Sequence, residues 1–254
     1  MNPTARTGLA WLAALATAAS VQAQSARDAV YFTTADNTIS RALLATGQSQ
    51  AVVTDKGTNL KGLAVRYDGN DLVTILAANS TQGGDVRAYA CPSPTGPCTA
   101  LGSVASLKAA VAVTLDTAGN AYAVNATKGG PDVLLYLPRN PACAASPAPA
   151  GCLPGGYGAA RVIDDQVNGV SLVGDVRVVP GTGSFGASAR YAPGDVLVLA
   201  ERPARILAYS GTAIQAFLAG TGPQPVPTTV ANISDCQEPE GLAVFATGEL
   251  LVAT

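Results

Sequence analysis

One pattern recurs along this chain: a short apolar strand, a Gly-containing turn, a second apolar strand, then a third strand that ends in Tyr. The clearest copy is "GLAVRYDGNDLVTILAANSTQGGDVRAY", residues 62–89. A second is "AVAVTLDTAGNAYAVNATKGGPDVLLY", residues 110–136. A third, with a longer turn, covers residues 175–209, and a fourth opens with "EGLAVFATGELLVAT" at 240–254. The copies start 48, 65 and 66 residues apart, and the differences fall in turns. A repeat of this size constrains the fold more than any other feature. One such sheet cannot bury its own faces and must stack on a neighbour.

A fourth strand is expected after each third strand, around "ALGSV" (100–104), "ARVID" (160–164) and "AIQAFLA" (213–219). Upstream, "AVYFTT", "TISRALL" and "QAVVT" read as the last three strands of an incomplete unit. The strands are apolar on both faces, as sheets sandwiched between sheets require. Four antiparallel strands per repeat predict an all-β fold, a β-propeller of four-stranded blades with about four to five blades represented. Because the last strand, "LLVAT", has no partner after it, the chain reads as a C-terminally truncated piece of a longer propeller. The alternative is a compact ring of about four blades in which the two end sheets combine.

Composition narrows the chemistry. There is no His, which excludes His-based nucleophile pairs and His-ligated zinc within the chain. The net charge is -2 and no basic run occurs, so nucleic acid is not an expected partner. Arg6, an apolar stretch over 9–19 and Val21-Gln22-Ala23 form the three parts of a secretory signal peptide. The expected organisation is therefore a signal peptide at 1–23 and a propeller domain at 24–254. No membrane span is expected once the signal is removed. The address is secreted or periplasmic, in a bacterium by its Ala-rich, Lys-poor composition.

Five cysteines suit an oxidising compartment. Cys91 and Cys98 flank one Pro-rich loop, and Cys143 and Cys152 flank another. Two local bridges, Cys91–Cys98 and Cys143–Cys152, are the simplest of the three pairings open to four cysteines. Cys236 is left over.

At residue level "PEGLAV" (239–244), "DGND" (68–71) and "ARILAY" (204–209) resemble the NHL-type repeat of the TolB-like and gluconolactonase-like six-bladed propellers. The resemblance covers most of the chain after the signal and implies a propeller. It does not specify an activity. In such a fold, one face gathers the ends of the second strands and the blade-to-blade loops. Here that face would collect Thr34, Asn79, Asn125 and Glu201, together with Lys61, Asp164, Asp165, Asn168, Asp235, Glu238 and Glu240. Oxygen-rich side chains of this kind suit calcium. No cofactor is required by the sequence, and calcium is the ion such a set would take. The gluconolactonase resemblance implies a Glu/Asn/Asp metal site at that mouth, for which Asn79, Asn125, Glu201 and Glu240 are the ligand candidates. No catalytic residue is assigned. The expected function is an exported binding or scaffold propeller that takes a protein, glycan or small molecule at its mouth. The alternative is a metal-dependent hydrolase of the lactonase type.

Overall fold

In a computed structural model of the chain, the described residues are 29–68, 72–81, 83–91, 96–125, 132–144, 148–167, 172–180, 191–233, 235–236 and 238–254. The expected signal peptide, Asn168 and most of the long turn of the third repeat lie outside them. The described residues form five antiparallel sheets. The first holds β1 (Ala29–Thr34), β2 (Thr38–Leu43) and β3 (Ser49–Thr54). The second holds β4 (Leu60–Tyr67), β5 (Val73–Asn79), β6 (Asp85–Cys91) and β7 (Thr99–Ser106). The third holds β8 (Ala110–Leu115), β9 (Ala121–Asn125), β10 (Leu134–Leu137) and β11 (Arg161–Asp164). The fourth holds β12 (Val173–Val178), β13 (Val196–Glu201), β14 (Ala204–Tyr209) and β15 (Thr228–Asn232). The fifth holds β16 (Gly241–Val244) and β17 (Leu250–Ala253).

Each sheet is a simple meander, and the first strands of successive sheets sit side by side: β4 against β8, β8 against β12, β12 against β16. Second strands pack on the next sheet's first strand, β5 on β8 and β9 on β12. β1 packs on β4 in that same manner, so β1 is a second strand whose sheet carries no first strand among the described residues. This is the blade order of a β-propeller, three complete blades with a partial blade at each end.

The cores lie between the blades. Val73, Ile75 and Tyr89 face Ile39 and Val53 of the first sheet, while Leu76, Ala78 and Ala88 face Val113 and Leu137 of the third. The same cross-strand pair shows what stacking contributes. Ala64 lies opposite Leu76, and Ala243 lies opposite Leu251. Leu76 is wholly buried by the third blade, whereas Leu251, which no blade covers among the described residues, is 58% exposed. Full burial of a Leu stabilises by about 1.5–3 kcal/mol.

Two expectations are corrected. "AIQAFLA" is not the fourth strand of its blade. It lies in helix α1 (Gly211–Leu218), and β15 supplies that strand. Ser210 caps the helix by accepting the Ala213 N–H, and Ile214, Phe217 and Leu218 turn one apolar stripe onto the core between the third and fourth blades. The spacing i, i+3, i+4 is helical, and the strand reading took its apolar content without its period. The second correction concerns the Tyr alignment. Tyr89 lies opposite Ile75 and Tyr209 opposite Val196, each facing the preceding blade. Tyr136 lies opposite Tyr122 and faces the following blade, and Leu137 takes the place equivalent to Tyr89. A slip of one residue moves a side chain to the other face of a strand.

Both expected disulfides are present, Cys91–Cys98 and Cys143–Cys152, and Cys236 is free. No helix among the described residues is long and apolar enough to cross a membrane.

Candidate functional site

The first strands begin at one end of the axis, and a β-bulge recurs there in every complete blade. Pairing shifts between Leu60 and Leu63 in β4, between Ala110 and Ala112 in β8, and between Val173 and Asp175 in β12. The extra residue bends the strand and re-aims its neighbours. The bulged positions, with Thr33 and Thr34 from β1, Glu201 from the end of β13, and Glu240, line a cavity of about 660 Å³ at the axis.

Small residues make the close approach of inner strands feasible. A Cβ at Gly62 would sit 2.7 Å from Ala112 Cα, and one at Gly174 would sit 2.4 Å from the Pro239 carbonyl oxygen. The same position beside Gly174 is 3.4 Å from Glu201 Oε1 and 3.4 Å from Glu240 Cα. Gly174 therefore lets Glu201 and the chain at Glu240 close in on one point of the rim.

Asp175 and Arg177 form a second device on this rim. Asp175 is 3% exposed, is 2.8 Å from Arg177, and accepts the Leu242 N–H at 2.9 Å. Arg177 Nε donates to the Leu242 carbonyl at 2.7 Å. The pair on β12 thus grips both backbone groups of one residue in β16. Burial raises the Asp175 carboxyl above its ordinary value, and Arg177 with the Leu242 and Val176 N–H groups only partly offsets this. Sequence reading missed this clasp, because nothing local in "DVRVV" shows which strand will lie alongside.

The ligand candidates separate into two pairs. Asn79 and Asn125, 2% and 3% exposed, do not line the cavity. They end β5 and β9 and hold the next turn. Asn79 Oδ1 accepts the N–H groups of Asn59 and Thr81, and its amide donates to Asp85. Asn125 Oδ1 accepts the Val133 N–H at 2.6 Å. Glu201 and Glu240 do line the cavity, with Lys61. The Glu201 carboxyl is raised above its ordinary value by burial first, then by the charges of Glu240 and Glu238, against the opposing pull of Lys61 and Arg202. Among the other mouth residues, Asp164 accepts the Tyr209 hydroxyl in the core and Glu238 pairs with Arg202 in solvent. Among the described residues, no three Asp, Glu, Cys or His side chains converge as a metal cluster.

The opposite end of the axis holds a cavity of about 530 Å³ lined by Arg66, Asp116, Gly119 and Arg139. There Asp68 bridges Arg66 and Arg139 at 2.7 and 3.3 Å and accepts the Thr74 hydroxyl. With Asp116 on the wall, two carboxylates stand against two guanidinium groups there, unlike the charges of the first mouth.

No known sequence family matches the chain, and no curated protein matches it. Among solved structures, a chain from the crystal structure of a nidogen/laminin complex is similar, with a TM-score of 0.50 at 13% sequence identity. The match covers 86% of this chain and 66% of that one, so this chain spans just under two thirds of its neighbour's length. At that identity the likeness establishes the fold, and the fold is a β-propeller.

Proposed function

We propose that the protein is an exported, NHL-type propeller that serves as a binding module, taking a basic segment of a partner protein at its axial mouth. The observation that carries this is the charge imbalance of the 660 Å³ cavity. Asp175 and Arg177 neutralise one another. Arg202 and Glu238 pair with one another outside the cavity, so among the described residues that line it Lys61 is the one cation left beside Glu201 and Glu240, with one carboxylate in excess. A Lys or Arg side chain entering the mouth would relieve the repulsion that raises the Glu201 carboxyl. The structural neighbour's place in a nidogen/laminin complex supports a protein as partner. Two disulfides support an oxidising destination and, with it, the signal peptide.

A calcium-dependent hydrolase of the lactonase type would also draw oxygen ligands from Asn79 and Asn125. Both amides are engaged by the chain itself. The binding reading requires neither.

Calorimetric titration with hexalysine at low salt tests the proposal. Wild-type protein should bind it, with affinity falling as salt rises. The double variant Glu201→Gln, Glu240→Gln should bind about tenfold more weakly, as the loss of two partly exposed pairings implies. Equal binding by both proteins, or by neither, overturns it. A rise in melting temperature with calcium that vanishes in the same variant would favour the hydrolase.

A further inference from the structure

The links from one blade to the next all meet the end of the axis at which first strands begin, so those leading into β4, β8, β12 and β16 ring the mouth. Their charges change sign part-way round. Lys56 and Lys61 stand where the chain enters β4, and Lys108 stands where it enters β8. Asp165 stands where the chain leaves β11 for β12, and Asp235 and Glu240 stand where it runs from β15 to β16. All six side chains are exposed, and none makes an ion pair among the described residues. The other described charges in these links are engaged. Glu238 pairs with Arg202, Asp55 pairs with Arg87, and buried Asp164 accepts the Tyr209 hydroxyl. Asp36 lies farther round, in the β1–β2 turn.

The order is antisymmetric about the third blade. One link before that blade carries Lys108, and one link after it carries Asp165. Two links before it carries Lys56 and Lys61, and two links after it carries Asp235 and Glu240. A two-fold axis lying in the plane of this face and running through the third blade exchanges each link with its opposite number. A second copy turned over about that axis sets its Lys108 over Asp165, and its Lys56 and Lys61 over Asp235 and Glu240. The reverse pairs follow by symmetry, because a two-fold contact uses the same patch on both subunits.

The geometry points to this face as a self-association surface, occupied by a second copy of the chain docked mouth to mouth. Charge complementarity selects that occupant. A purely basic partner answers the acidic half of the ring and leaves the three lysines unmatched, whereas a second copy matches all six charges. Complementary fields of this kind steer encounter and fix the register of docking. The inference names a partner for the charged mouth, the basic segment being residues 56–61 of the second copy. It rests on the binding-module reading for that pairing alone, since Lys108 and Asp165 do not line the cavity.

Sedimentation velocity of the full chain tests it. Wild type should dimerise at low salt, with affinity falling about tenfold or more as salt shortens the screening length. The variants Lys56→Glu, Lys108→Glu and Asp165→Lys, Asp235→Lys should each be monomeric alone. An equal mixture of the two should form a heterodimer, because every altered contact then joins opposite charges. Wild type that stays monomeric at low salt overturns the inference. A dimer that survives in either variant, or a mixture that fails to associate, overturns it too. Hexalysine separates the two proposals. The Lys56→Glu, Lys108→Glu variant keeps Glu201 and Glu240 and should bind hexalysine as a monomer. Hexalysine binding without a wild-type dimer overturns this inference and leaves the mouth reading standing. A dimer restored by the charge swap, without hexalysine binding, supports this surface and overturns the mouth reading.

Discussion

Tyr209 donates its hydroxyl to Asp164 at 2.7 Å, joining the third strand of one blade to the end of the preceding one across 45 residues of sequence. Tyr89 does the same to Asp55 at 2.7 Å across 34 residues, and Arg87 adds an ion pair to that carboxylate. The latch recurs because the same register recurs. Burial and the facing carboxylate hold both phenols well above the ordinary tyrosine range. The shift favours the protonated phenol, the form that donates.

Tyr136 stands outside this pattern, and its position gives the first prediction. Tyr89→Phe should cost about 1.5–3 kcal/mol, the value of a hydrogen bond to a charged group. Tyr136→Phe keeps the ring contact with Tyr122 and should cost about 0.5 kcal/mol or less. Urea unfolding of the two variants checks this. Equal costs would restore the in-phase alignment of the three tyrosines.

Gly174→Ala should destabilise by about 1–3 kcal/mol, because the new methyl meets a backbone carbonyl that cannot turn aside. It should also weaken hexalysine binding by displacing the Pro239–Glu240 segment. Ala at Gly47, where φ is +66° and nothing lies near the added methyl, strains the backbone without the steric clash that Gly174 would suffer, and it should leave hexalysine binding unchanged. Calorimetry on both variants reads the two effects together.

The pH dependence should carry two opposite signs. Glu201 titrates higher in the folded chain than its ordinary 4.5, so its contribution is favourable below that value and is lost as pH rises through the folded value. Glu201→Gln should match wild type near pH 4 and exceed it at pH 7 by less than about 1 kcal/mol, given its partial exposure. Burial raises Asp68, but Arg66, Thr74 and Arg139 more than offset it and leave it below 3.8. Its contribution is present above 3.8 and is lost as pH falls through the folded value. Asp68→Asn should therefore lower stability at pH 7 and flatten the acid side of the profile. Unfolding free energies between pH 2 and pH 8 for the three proteins test both signs.

Removing the Cys143–Cys152 bridge with a double Ala variant should cost about 2–3 kcal/mol, the loop-closure value for a short loop. The same change in Cys236, free and half-buried, should cost clearly less. Thermal unfolding under non-reducing conditions distinguishes them.

The blades were legible because each apolar strand and Gly turn is a local signal. "GLAV" appears twice and occupies equivalent places in β4 and β16. The disulfides were legible because short spacing leaves little choice. α1 was not, because its stripe of Ile214, Phe217 and Leu218 is short enough to pass for a strand. The direction of Tyr136 was not, because register depends on the opposite strand. At the mouth, Glu201 and Glu240 follow from strand ends. The burial of Asn79 and Asn125 does not, since an amide at a strand end can turn inward to its own loop or outward to a ligand. The Asp175–Arg177 grip on Leu242 joins residues 67 apart and has no local trace.

The account stands on successive sheets lying face to face, each covering the one before. A double-mutant cycle between Tyr209→Phe and Asp164→Asn measures that contact directly. The account predicts a coupling energy of about 1.5–3 kcal/mol between these two blades. Additivity within about 0.5 kcal/mol would contradict it, because the two residues would then not touch.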